Sequence, residues 1–258
     1  MTQKEIRSDY KSQRKKAKKE YKIEKKAIKN DYKTRLDEYF DSDEYNVVAN
    51  PPRRSVLEEI GNSVTHGVGS VFSIVAFVLM LISAKTTEQY VGAVVYFFGL
   101  FVMFTMSCLY HAFRYGSKVK RLFRRFDYSS IYLLIGATFT PILLCYYGGT
   151  FGIVFCAVQW AIIATGITFI GVFGPTKLKW LHFPLYVILG WSALLFVPKM
   201  ITEDLSLFLW ILGGGVIYTL GIIPFAIKKK VSHFLWHFFV LFGAIIQWIG
   251  IYLYIYLR

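Results

Sequence analysis

With 258 residues, 55% of them hydrophobic and 18% aromatic, and a formal net charge of +14, the chain is too apolar for a water-soluble domain of its length. The charge is also segregated: residues 1–60 hold 16 of the 30 Lys and Arg and 12 of the 16 Asp and Glu, which leaves only Glu88, Asp127, Glu203 and Asp204 as acids in the remainder. A soluble globular enzyme is excluded, and the expected fold class is all-α, a seven-helix transmembrane bundle passing repeatedly through the cell membrane.

The domain division expected is a basic arm with its linker, residues 1–57, followed by a membrane domain, 58–258. Within the arm the tripeptides Asp9-Tyr10-Lys11, Glu20-Tyr21-Lys22 and Asp31-Tyr32-Lys33 recur every 11 residues. Eleven residues make almost three helical turns, so the three tyrosines fall on one stripe of a Lys-rich helix. Such a helix can lie on anionic inner-leaflet lipid, pair with another copy, or stand as a solvated charged arm. Residues 41–52 read as a linker. No nucleic-acid partner is expected, and the oligomeric state stays open.

The first apolar run begins near Val64 and lacks a small-residue cleavage pattern, so no cleavable signal is expected. Seven stretches reach or approach the roughly 20 residues that cross a hydrocarbon core of about 30 Å: 64–83, 90–113, 129–145, 151–173, 180–197, 205–227 and 233–257. Cys108, Cys145 and Cys156 lie inside these runs without Cys-x-x-Cys spacing and read as small buried hydrophobes. Between the spans, the basic residues are biased to one side. Arg114, Lys118, Lys120, Arg121, Arg124, Arg125, Lys177, Lys179 and Lys228 to Lys230 share the side of the N-terminus, against Lys85, Lys199 and Arg258 opposite. That asymmetry predicts a cytoplasmic N-terminus and an external C-terminus.

Polar residues then converge at one depth. His233 and His237, four apart at the start of the last span, share one helix face, and Ser107 and His111 do the same at the end of the second. Glu58, Asn62 and His66 recur at spacings of four at the start of the first. Asp127, at the start of the third, is the one acid after residue 61 on that side, and an ionised side chain at bilayer depth costs ~3 kcal/mol or more unless paired. Two readings of the histidines are open: imidazoles solvated at the interface, or ligands of one metal ion. In the second, His111, His233 and His237 form a three-histidine zinc site with an open fourth position. Asp127 then orients or deprotonates a water, Ser107 hydrogen-bonds that water or the developing oxyanion, and Glu58, Asn62 and His66 orient the ligands or close the cavity. The bland counterparts are a pairing of Asp127 with Arg124 or Arg125, and a bond from Ser107 back to its own helix. His182 reads as interfacial.

The ordered set Glu58, Asn62, Ser63, Thr65, His66, Gly67; Ser107, His111; Asp127; Gly190, Trp191; Tyr218, Gly221; and His233, Trp236, His237 resembles the bacterial hemolysin III proteins, within the progestin and adipoQ receptor family. The resemblance covers residues 55–258. It implies seven helices with an internal N-terminus, zinc on His111, His233 and His237, and Asp127 beside the metal-bound water. Related enzymes hydrolyse the amide bond of ceramides, so it favours a hydrolase of a lipid amide or ester, with a membrane lipid as substrate or ligand. A lipid sensor with structural zinc and a membrane-lysing protein are the alternatives. Tyr128 and Gln247 depart from the family pattern, where histidines are common.

Overall fold

The computed structural model describes residues 2–41, 51–227 and 229–258; most of the expected linker, and Lys228, lie outside the described residues. It divides into two units, Met1–Asn50 and Pro51–Arg258. The first contains one long helix, α1 (Gln3–Asp41), whose described side chains are all exposed.

The second unit is helical throughout its described elements: α2 (Val56–Ser83), α3 (Thr87–Ala112), α4 (Lys118–Pro141), α5 (Gly149–Phe173), α6 (Lys179–Trp191), α7 (Val197–Glu203), α8 (Leu205–Ala226) and α9 (Ser232–Ile251). Six of the helical stretches are long and apolar enough to cross a membrane, and α6 with α7 makes a seventh if counted as one span bent by 45°. The bend falls where a tight turn, Ser192–Phe196, meets Pro198, which has no N–H to continue the ladder. Pro141 likewise ends α4 in a wide π-turn, Ile142–Tyr147.

Two helices begin well before their apolar runs. α2 starts at Val56 because Ser55 caps it, its Oγ accepting the Glu58 N–H at 3.2 Å while the Glu58 carboxylate accepts the Ser55 N–H at 3.2 Å. α4 starts at Lys118 behind Ser117, whose Oγ accepts the Lys120 N–H at 3.0 Å. Hydropathy marks where a helix becomes apolar; caps mark where it begins. Asp127 therefore sits in the third turn of a helix.

The helices close on a core that includes Tyr96, Leu100 and Phe104 of α3, Ala137 of α4, Leu207 and Ile211 of α8, and Val240 and Ala244 of α9. Close approach depends on small residues: a Cβ at Gly99 would overlap the Ala137 methyl and the Leu133 carbonyl, so α3 and α4 touch backbone to backbone there. The end of the bundle away from the histidines is tied by polar bonds. Gln89 Nε2 donates to the Ile255 carbonyl at 2.7 Å, the Tyr256 hydroxyl donates to the Gln89 carbonyl at 2.7 Å, and Arg258 pairs with Asp204 at 2.5 Å.

Candidate metal centre

At the opposite end, α3 and α9 bring three imidazoles together. One ring nitrogen from each of His111, His233 and His237 lies within 4.8 Å of the other two, and this cluster could hold a metal ion. The Nε2 atoms of His233 and His237 are 3.2 Å apart. Two nitrogens each ~2.0–2.1 Å from a tetrahedral zinc stand about 3.3 Å apart, so this pair already has the separation such an ion requires. His111 Nε2 is buried without a hydrogen-bond partner. A buried ring nitrogen without a partner, beside two others, is a donor set that could take a metal ion.

His111 is oriented from its other side. Glu59 Oε2 lies 2.5 Å from His111 Nδ1, and the Asn62 amide nitrogen lies 3.3 Å from the same atom. An ionised carboxylate can only accept, so with Glu59 charged Nδ1 carries the ring proton, Nε2 keeps its lone pair for a metal, and the Asn62 amide, turned over, meets that N–H with its oxygen, which otherwise has no partner. The second Glu59 oxygen, Oε1, faces the Lys120 ammonium at 3.1 Å. Lys120 is itself fully buried and donates to the carbonyls of Tyr110 at 2.9 Å and Phe113 at 3.1 Å, capping the end of α3 that carries His111. One buried cation thus fixes both the helix end and the acid that orients its histidine.

Glu58 has another task. Besides capping α2, its Oε1 accepts the Val231 N–H at 2.6 Å, tying the start of α2 to the start of α9. Val231 holds a left-handed φ of 69°, a costly conformation for a β-branched residue, immediately before the turn that presents His233 and His237. So Glu59, not the expected Glu58, reaches the histidines. The spacing of four drifts around a 3.6-residue helix, whereas Glu59, Asn62 and His66, spaced by three and four, keep one face. His66 is buried and stacks on His237 with ring centroids 3.8 Å apart, both of its nitrogens lacking partners. The capping box Ser55-x-x-Glu58 was the sequence signal that separated the two acids.

Asp127 and Ser107 line one cavity together with His66, His233 and His237. Arg54, Arg124 and Lys120 set positive charge around the Asp127 carboxyl. Arg125 points elsewhere, donating to the Gly171 carbonyl at 2.9 Å. Arg54 lines the same cavity, and its Nη1 is buried without a hydrogen-bond partner. The cavity, about 660 Å³, runs from this polar end between α4, α6, α8 and α9 to Ile142, Val197 and Phe208 at the far end of the bundle. Its volume is that of a small-molecule site, ~300–1,000 Å³, and its walls beyond the histidines are almost wholly apolar.

His182 departs from its interfacial expectation. It is buried, its Nδ1 is 3.0 Å from the Tyr132 hydroxyl, and it lines the cavity from α6. Its partner lies 50 positions away, beyond any local pattern.

Residues 54–248 match the family described as Haemolysin-III related. Similar proteins include Hemolysin-3 of Bacillus cereus, 34% identical over 206 residues covering 78% of this chain and 93% of the relative. The Hemolysin-3 homolog of Bacillus subtilis (strain 168) is 32% identical over 196 residues, covering 74% and 91%. The human Monocyte to macrophage differentiation factor is 26% identical over 205 residues, covering 77% and 85%.

Proposed function

For a chain that belongs to the haemolysin-III-related family of integral membrane proteins, we propose a zinc-dependent hydrolase of a lipid amide or ester bond, working at the cytoplasmic face of the membrane. The observation that carries the reading is the placement of a carboxyl group, Asp127, in the same cavity as His233 and His237, at the one polar end of a long apolar chamber. His111, His233 and His237 would hold the ion, with Glu59 accepting the Nδ1 proton of His111 and so keeping its Nε2 aimed inward. Bound zinc supplies Lewis acidity, polarising a carbonyl and making water a nucleophile near neutral pH.

The chain's own groups do the rest. An Asp127 carboxylate oxygen takes the proton of the attacking water and later returns it to the departing amine or alcohol. The Ser107 hydroxyl, which lines the same cavity, hydrogen-bonds the attacking water or the developing oxyanion. Arg54, with a buried donor free of partners, offers charge to the oxygen that becomes negative as the carbonyl is attacked. The apolar walls hold an acyl chain and keep bulk water from the reacting carbonyl, which strengthens every polar contact at that end. The cytoplasmic assignment follows from the basic bias of the connecting segments.

The test is turnover of a panel of N-acyl and O-acyl lipids by purified protein in nanodiscs, comparing wild type with Asp127→Asn. A hydrolase loses activity in the variant by ~10²–10⁴-fold, the usual weight of a general base, while its zinc content holds. Equal behaviour of the two proteins, with no lipid cleaved by either, leaves a structural zinc in a lipid sensor and sinks the enzymatic reading.

A further inference from the structure

We infer that α1 is a dimerisation helix: two copies of the chain join through a parallel, in-register coiled coil of their N-terminal arms. The inference is independent of the chemistry at the histidines.

Ile6, Ala17 and Ile28 recur every 11 residues, and Tyr10 and Tyr21 follow the first two of them by four. On a helix these positions share one narrow stripe, because an 11-residue repeat returns to the same face every three turns. The stripe is exposed: Ile6 is 52%, Tyr10 63%, Tyr21 62% and Ile28 63% accessible. It is the thin two-position seam of a coiled coil, far narrower than the face a helix needs to bury in a bilayer surface.

The charges beside the seam decide the partner. The residue before each tyrosine is acidic, Asp9, Glu20 and Asp31, and these lie about 80° to one side of the stripe. The residue after each Ile6, Ala17 and Ile28 is basic, Arg7, Lys18 and Lys29, and these lie about 80° to the other. In a parallel pair related by a two-fold axis along the helices, one flank of each helix faces the opposite flank of its partner, so every acid column meets a basic column. In an antiparallel pair each flank would meet its own kind, acid against acid and base against base. A helix lying on anionic lipid keeps cations on both borders of its apolar stripe, where their stems reach past it to the headgroups. Here one border is acidic at all three repeats. The exception nearby, Arg35, is held within the helix by Asp31 at 3.1 Å.

The experiment is oxidative cross-linking of the full chain in liposomes, with Tyr10→Cys and Ile28→Cys made separately and the wild type, bearing Cys108, Cys145 and Cys156, as control. A parallel in-register pair links each variant to itself, and equally well in phosphatidylcholine alone and with phosphatidylglycerol added. Adding Asp9→Lys, Glu20→Lys and Asp31→Lys should abolish the link, and adding Arg7→Glu, Lys18→Glu and Lys29→Glu to those should restore it. Self-linking at fewer than both positions means the arms do not pair in parallel register, as in an antiparallel pair, and overturns the proposal. No link at either, with the arm protected from protease only on phosphatidylglycerol vesicles, gives the helix to lipid and overturns it too.

Discussion

Glu59 and His111, 52 positions apart, meet through Oε2 and Nδ1 at 2.5 Å, and this contact joins the start of α2 to the end of α3 at the candidate metal centre. Removing such an orienting carboxylate from a ligand histidine costs ~10–100-fold in metal affinity. Glu59→Gln should therefore weaken zinc binding by that order in a competition titration. Glu58→Gln should leave zinc affinity near wild type and lower thermal stability instead, because its contacts are Ser55 and the Val231 N–H. Equal zinc affinities for the two variants would contradict this division of labour.

Lys120 tests how the centre is braced. Lys120→Met leaves Glu59 with a charge that Lys120 no longer balances, and the carbonyls of Tyr110 and Phe113 lose their donor. Breaking one side of a buried pair costs about 3–5 kcal/mol, so the variant should melt well below wild type. Glu59→Leu combined with Lys120→Met should recover much of that loss, since an apolar pair leaves no orphaned charge. A double variant no more stable than Lys120→Met would mean the cost comes from the lost carbonyl bonds alone.

Much of this architecture is legible in the sequence. The long apolar runs mark the spans, and the pairs Ser107/His111 and His233/His237 bring three imidazoles to one end. What the sequence hides are the partners that burial creates. Lys120 stands in a run of six cations and looks like any solvated loop residue; only the packed end of α3 turns it inward. Glu59 is masked by Glu58, which suits a spacing of four, although a helix of 3.6 residues per turn favours the three-and-four pattern. The bend between α6 and α7 is masked because residues 183–198 read as one apolar run broken only by Ser192.

Val231 carries strain that a glycine would not. Its φ of 69° suits a residue without a Cβ, so Val231→Gly should raise the melting temperature by an amount worth roughly 1 kcal/mol, read by thermal denaturation in detergent. A lower melting temperature would place the side chain, half exposed as it is, among the contacts that hold α9.

The apolar chamber makes a prediction of its own. Leu212 lines it from α8, and Leu212→Trp should narrow it by overpacking worth about 1–3 kcal/mol. Hydrolysis of long-chain lipids should fall by roughly tenfold or more, short-chain analogues should suffer less, and zinc content should not change. Uniform loss across chain lengths would argue that the acyl group binds elsewhere.

Zinc content of the purified full-length protein, measured by mass spectrometry beside His237→Ala, tests the centre most directly. One zinc per chain in the wild type and almost none in the variant is the expected result. A wild type without stoichiometric zinc after purification free of chelators would contradict it.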